Sequence, residues 1–314
     1  MNIKPVLGTM NFGLQVDLAE TVRMSETFQS MGYNEFDTAY VYNDGYSEKY
    51  MGKALKDIDE HKYILATKVN PRITGKLDLD SISDQLMKSL KRLNTKCVDI
   101  LYLHFPDPST PIYETLEACS KIYKKGYFKE LGLSNYSAHE VINICSICHN
   151  NGWPKPTVYQ GLYNVLSRDI EKELVPVIRE TGIRFYAYNP LAGGILSGKY
   201  SSIDSVTPGR FTLRPNYKDR YWKEEFFNAV KILEKICHEN NISLIEASFR
   251  WLIHHSVLNN KYDDGIIIGS SNIDHLLQNL SYFSSKPLQE DVSITFDEIW
   301  NEVKDVSPRY FRTP

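Results

Sequence analysis

Along the chain, short apolar runs rich in β-branched and aromatic residues alternate with longer segments whose apolar positions recur at helical spacing. Eight runs read as strands: Val6 to Thr9, Asn34 to Asp37, Tyr63 to Lys68, Val98 to His104, Glu130 to Ser134, Thr157 to Gln160, Arg184 to Asn189 and Gly265 to Gly269. Between them, Asp17 to Met31, Ser47 to Asp57, Asp80 to Leu93 and Pro111 to Lys125 read as helices. Strand-helix units of about 30 residues, repeated eight times, predict an α/β chain closed into a single (β/α)8 TIM barrel. No linker rich in Gly, Ser or Pro divides the sequence, so residues 1–314 are expected to form one domain. Two features exceed the bare repeat. After the seventh strand, the polar stretch Lys199 to Tyr221, with Pro208, Gly209 and Pro215, predicts a long loop. Beyond Pro287, a C-terminal extension carries a predicted helix, Glu290 to Val303, and the aromatic-basic end SPRYFRTP, placed to cap the barrel or line its mouth.

Composition narrows the function classes. With 42% hydrophobic and 24% charged residues, the chain can build a large core, which excludes disorder as its main state. Thirty-six basic against 39 acidic residues give a formal net charge of −3, so no global positive field recruits nucleic acid or anionic lipid. A small-molecule partner is expected instead. The most apolar uncharged stretch, Phe185 to Gly198, is too short for a bilayer span and is broken by Asn189, Pro190 and paired glycines. The opening MNIKPVLGTMNFG lacks the pattern of a signal peptide, which predicts a cytoplasmic location. Five cysteines, odd in number and irregular in position, suit reduced thiols better than a disulfide framework. Cys145 and Cys148, followed by His149, sit in apolar helical flanks without a second ligand pair, so a structural role is expected rather than metal, redox or haem chemistry.

In a barrel of this type, reactive groups gather at the carboxyl ends of the strands. There the sequence places Asp37, with Tyr42 just beyond it, Lys68 and His104. A phenol is a poor acid at neutral pH unless a nearby cation favours its anion; a lysine supplies that charge and a carboxylate fixes the lysine. Each residue alone has a bland reading as a cap, a solvated strand end or a core histidine, but their joint placement makes proton transfer to a developing alkoxide the better one. Gly193 and Gly194 permit close backbone approach to a pyrophosphate, and Lys199 adds charge. The segment Gly269 to Asn279 reads as a strand end entering a helix, suited either to a phosphate or to simple capping by Ser271 or Asn272.

The strings FDTAYVY-x-x-G-x-SE (Asp37 to Glu48), ATK (Ala66 to Lys68), DILYLH (Asp99 to His104), GLSNY (Gly132 to Tyr136), YNPLAGGILSGKY (Tyr188 to Tyr200) and IIIGSSN (Ile266 to Asn272) resemble signatures of the aldo-keto reductases, in order and over most of the chain. LGTM (Leu7 to Met10), RYWKE (Arg220 to Glu224), RWLIHHS (Arg250 to Ser256) and the terminal YFR (Tyr310 to Arg312) are similar to the aflatoxin aldehyde and succinic semialdehyde reductase branch. The resemblance implies reduction of aldehydes, and of some ketones, to alcohols with NADPH. Tyr42 would donate the proton, Lys68 lower the tyrosine pKa, Asp37 pair with Lys68, and His104 orient the carbonyl. Ser134, Asn135 and Gln160 would hold the nicotinamide amide, and Tyr188 would stack on its ring. The resemblance also carries Asn189, Pro190, Leu191, Ala192, Gly193, Gly194, Leu196, Gly198, Lys199, Arg210, Gly269, Ser270, Ser271, Asn272, Gln278 and Asn279 into cofactor binding. Tyr217, Arg220 and Arg312 would meet an acidic substrate tail, and a homodimer is compatible with that branch. A cofactor-sensing regulatory subunit, like the potassium-channel β subunits that share the fold and tetrad, is the alternative. An unrelated metal-dependent hydrolase or aldolase barrel is disfavoured, since no His-x-His strand end appears.

Overall fold

Period-two alternation sorts the side chains of each strand between the inside of a barrel and the layer of helices around it. The computed structural model describes residues 3–205, 209–214 and 217–312. Eight strands, β1 (Lys4–Gly8), β2 (Glu35–Asp37), β3 (Ile64–Val69), β4 (Val98–Leu103), β5 (Phe128–Ser134), β6 (Pro156–Leu162), β7 (Arg184–Tyr188) and β8 (Gly265–Gly269), close in chain order into a barrel. All neighbours run parallel, and β1 meets β8 in register from Lys4 opposite Gly265 to Gly8 opposite Gly269. The expected TIM barrel is therefore the fold, with strand ends displaced by at most two residues from the sequence reading, as at β1, β5 and β6.

Local signals set the helix starts. Asp17 and Asp78 cap Leu18–Ser30 and Leu79–Leu93, each carboxylate accepting a backbone N–H at 2.9 Å. A capping box of Ser137 and Glu140 opens Ala138–Asn151, the helix that holds the Cys145-x-x-Cys148 string. The outward-facing strand residues and the helices share one large core, whereas the barrel interior forms a second, smaller cluster.

That interior is layered. At the amino end Lys4 pairs with Glu35 at 3.2 Å and Arg184 with Glu130 at 2.7 Å. Above them Val6, Ala66, Ile100, Tyr102, Val158, Tyr186 and Ile267 fill the middle. Gly132 has no side chain because a Cβ there would strike the Tyr102 ring. One more step of two residues along the strands brings Asp37, Lys68, His104, Ser134, Gln160 and Tyr188 to the carboxyl end, on the same inner face.

Two segments close over that end. After a 3-10 turn, Ala192–Ser197, the expected loop Lys199 to Tyr221 carries two short helices, Arg210–Leu213 and Lys218–Tyr221. Tyr200, Phe211, Trp222 and Phe227 pin it through ring contacts of 4.7 to 5.3 Å, and these aromatics lack a period that a sequence pattern would register. Pro208 and Pro215 lie outside the described residues. The predicted tail helix is Glu290–Val303. Beyond it Tyr310 is buried, its hydroxyl accepting the Ala138 N–H at 3.1 Å and donating to Glu173 at 3.2 Å. The Arg312 N–H then donates to the Asn135 carbonyl at 3.0 Å, so the chain end runs along the barrel mouth.

Candidate active site

At the carboxyl end of the barrel lies an open cavity of about 450 Å³. Asp37, Tyr42 and His104 line it, with Lys68 wholly buried behind them. Lys68 reaches inward from β3 and donates to both oxygens of Asp37, at 2.8 and 2.6 Å, and to the Thr38 carbonyl at 2.6 Å. Its fourth contact, to the Tyr42 hydroxyl, is the longest at 3.4 Å. Gln160 completes the set by donating to Asp37 at 2.8 Å.

The electrostatics differ from a simple cation-tuned phenol. Burial, reinforced by the Asp37 carboxylate, pushes the Tyr42 pKa well above its ordinary value. Burial also lowers the Lys68 pKa, against the pull of Asp37. The nearer acceptors of the ammonium are Asp37 and the Thr38 carbonyl, with the Tyr42 hydroxyl farther off. In this state burial and Asp37 dominate, so the net shift of Tyr42 is upward, while the Lys68 ammonium at 3.4 Å stands where negative charge on the phenol oxygen would meet it.

Tyr42 sits on a strained loop rather than on a strand. Asn43, Asp44 and Gly45 all have left-handed backbones, with φ of 50°, 53° and 81°. A pair behind the loop holds it, with Glu48 buried and Arg92 half-buried: Glu48 accepts from Thr67 at 2.6 Å and from Arg92 at 3.0 Å, and Arg92 donates to the Tyr40 carbonyl at 3.2 Å. The Arg92 guanidinium also lies 4.5 Å from the centroid of the Tyr40 ring.

His104 follows β4, its ring 6.1 Å from that of Tyr42 and stacked on Phe105 at 4.7 Å. Burial, then the charges of Lys68 and Arg72, holds its pKa well below 6.5, so the imidazole is neutral. Asn70 stands 3.4 Å from Nδ1. Its side-chain oxygen accepts the Arg72 N–H at 2.9 Å, which turns the amide NH2 toward the imidazole. Nδ1 is thereby the acceptor, and the ring proton lies on Nε2.

Of the other residues singled out in the sequence, Ser134, Asn135, Gln160, Tyr188, Asn189, Pro190, Leu191, Gly193, Gly194, Arg210, Tyr217, Arg220, Gly269 and Asn279 line the same cavity. Asn135 donates to the His104 carbonyl and to Ser134, both at 2.9 Å, and accepts from Tyr188 at 2.8 Å. Its left-handed backbone, φ 66°, sets the turn after β5. Ala192 and Leu196 are buried in the core beneath the turn, and Gly198 ends that turn with φ 71°. Lys199, Ser270, Ser271, Asn272 and Gln278 are not part of the cavity wall. Asn272 does what the capping alternative expected, accepting the His275 N–H at 2.8 Å. Ser270 instead ties loops together, accepting from Asn279 at 3.3 Å and, through its carbonyl, from Asn11 at 2.9 Å.

Arg312 lies beside a smaller adjoining chamber with Arg72 and Phe105. Its Nη2 is buried with no hydrogen-bond partner among the described residues. Sequence reasoning passed over Asn70, Arg72, Phe105, Met10 and Arg214, which all line the main cavity, and the Glu48–Arg92 pair behind it. Asn70 was within reach of the same rule that found Lys68, two residues earlier on the inward face.

At the mouth of this closed parallel barrel a buried lysine bridges a carboxylate and a phenol, and comparison with known sequences gives the class. The profile of the aldo/keto reductase family matches residues 5–301. The chain belongs to that family and is an oxidoreductase enzyme. It is 44% identical over 319 residues to mouse "Aflatoxin B1 aldehyde reductase member 2", covering 98% of this chain and 87% of the relative. It is 42% identical over 319 residues to human "Aldo-keto reductase family 7 member A3", covering 98% and 96% of the two chains. Among the described residues no helix is long and apolar enough to cross a membrane.

Proposed function

We propose that this is a single-domain, NADPH-dependent aldehyde reductase, accepting some ketones, in which Tyr42 protonates the carbonyl oxygen. One observation carries the reading: Lys68 Nζ lies between the Asp37 carboxylate and the Tyr42 hydroxyl, with neutral His104 beside them on the cavity wall. The names of the similar reductases support aldehydes as the substrate class.

The residues present fit a nicotinamide dinucleotide. Gly193 and Gly194 have φ of 71° and 106°, and a Cβ on Gly194 would meet nothing within 4 Å among the described residues, so the backbone there is open to an approaching phosphate. At the same turn Asn189 Nδ2 is buried with no partner among the described residues. Among the described residues Arg210 donates to neutral acceptors, Asn11 Oδ1 at 3.2 Å and Met10 Sδ at 3.6 Å, and lies 5.3 Å from the Tyr217 ring centroid, which leaves its charge available to an anion. Ser134, Asn135 and Gln160 would hold the amide, Tyr188 the ring, and the 189–199 turn, Arg210 and the 269–279 segment the phosphates and adenosine end. When bound, the reduced nicotinamide supplies hydride to the carbonyl carbon.

The chain's own groups do the rest. The Nε2–H of His104 donates to the carbonyl oxygen and sets its direction. Tyr42 gives up its proton as negative charge develops on that oxygen. The phenolate left behind is stabilised by the Lys68 ammonium 3.4 Å away, which Asp37 keeps charged and in place. Tyr217, Arg220 and Arg312 at the mouth would receive a carboxylate on the substrate tail.

A substrate panel with NADPH and NADH tests the reading, using 4-nitrobenzaldehyde, succinic semialdehyde, methylglyoxal and a dialdehyde. Turnover with NADPH is expected. No turnover of any aldehyde by protein that binds NADPH would overturn it in favour of a regulatory subunit.

A further inference from the structure

Past Phe105 the main cavity adjoins a second chamber of about 200 Å³, and Arg72 and Phe105 belong to both walls. Arg312 lines the second chamber and is tethered by its backbone to Asn135 of the first. Arg220 stands on the main wall. Among the described residues, none of these three arginines has a carboxylate at ion-pair distance. The Arg72 guanidinium stacks 4.4 Å from the Phe105 ring centroid, which holds it at the seam. Burial, followed by the charges of Arg220 and Arg72, presses the Arg312 pKa below its ordinary value, a sign of cations crowded together. The acid in the second wall, Asp107, is occupied by the N–H groups of Leu77 and Ser109, at 2.5 and 2.8 Å.

A chain of net charge −3 has here gathered three guanidinium groups around one seam. One carboxylate accepts a bidentate pair from one guanidinium. Held between Arg220 and Arg312, it would leave Arg72 facing the second chamber without a partner carboxylate. We propose that the second chamber is a subsite for a second negative charge, so that the enzyme selects aldehydes with a dianionic tail, a dicarboxylate or a phosphate monoester, and that Arg72 discriminates them from monoanions. This rests on the aldehyde-reductase reading above.

The test uses the whole enzyme with NADPH and four rigid aldehydes: benzaldehyde, 3-carboxybenzaldehyde, 5-formylisophthalate and 4-formylphenyl phosphate. Each kcat/KM is normalised to benzaldehyde in the same variant. Wild type should favour at least one dianion over the monoanion, and whichever dianion is preferred identifies the second charge as carboxylate or phosphate. Arg72→Gln should cut that dianion-to-monoanion ratio about tenfold through KM, Arg72→Lys should restore part of it, and Arg312→Gln should weaken monoanion and dianion together. A ratio that Arg72→Gln leaves unchanged overturns the subsite even if Arg312→Gln weakens the monoanion. If Arg312→Gln leaves the monoanion unaffected, the acidic-tail reading itself fails, and the Arg72 ratio then judges the second chamber separately.

Discussion

Replacing Lys68 with methionine removes a cation from a position with 0% exposure and leaves the Asp37 carboxylate, 3% exposed, without its counter-charge. Of the side-chain donors to the Asp37 carboxylate among the described residues, only Gln160, at 2.8 Å, would remain, and the Thr38 carbonyl would lose the Lys68 donor as well. Breaking one partner of a buried pair typically costs about 3 to 5 kcal/mol. For a chain of 314 residues the unfolding entropy makes each kcal/mol worth about 1.5 °C, so the Tm should fall by about 5 to 8 °C. Calorimetry at one scan rate on wild type, Lys68→Met, Asp37→Leu and the double variant gives the cycle. Removing both charges replaces the pair by apolar side chains, so the double variant should recover most of the stability while its reductase activity stays low. Unchanged Tm in Lys68→Met, or a double variant as unstable as the sum of the singles, would refute the reading of a tightly coupled buried pair.

Other consequences can be checked together. Arg210→Ala should weaken NADPH binding by roughly 10- to 150-fold and NADH binding much less, as fluorescence titration would show. Asn70→Asp should move the His104 proton to Nδ1, facing the new carboxylate, and raise the imidazole pKa; 15N chemical shifts of labelled histidine report both, and an unmoved proton would exclude Asn70 as its director. The depressed pKa of His104 means that the folded state binds fewer protons than the unfolded one once the pH drops below 6.5. Stability should therefore fall through that window until the folded form also protonates, and His104→Gln, compared with wild type in urea titrations at several pH values, should flatten the slope.

The barrel was legible because its two periods are strong: alternation at two places each inward residue, and capped helices such as Leu18–Ser30 and Leu79–Leu93 fill the intervals. Asp37, Lys68 and His104 were found as reactive types at strand ends, and Tyr42 by its distance from Asp37. The supports were harder to see. Glu48 and Arg92 are 44 residues apart and meet only because the helices bearing them, Tyr46–Ala54 and Leu79–Leu93, pack side by side. The direction of the Tyr42 shift depends on burial, which no spacing encodes. The segment after β7 resembled a polar loop because its four pinning aromatics are scattered without period, and Arg72 was passed over because it lies in a short turn, Pro71–Thr74, beyond the strand.

The central claim is that Tyr42 supplies the proton. Its most direct test is single-turnover reduction of 4-nitrobenzaldehyde by Tyr42→Phe enzyme preloaded with NADPH, with the cofactor Kd measured on the same sample. The account predicts a reductive step slower by about 10² to 10⁴, the usual loss on removing a general acid, with NADPH affinity nearly unchanged. A folded Tyr42→Phe enzyme that reduces the aldehyde at close to the wild-type rate would contradict it.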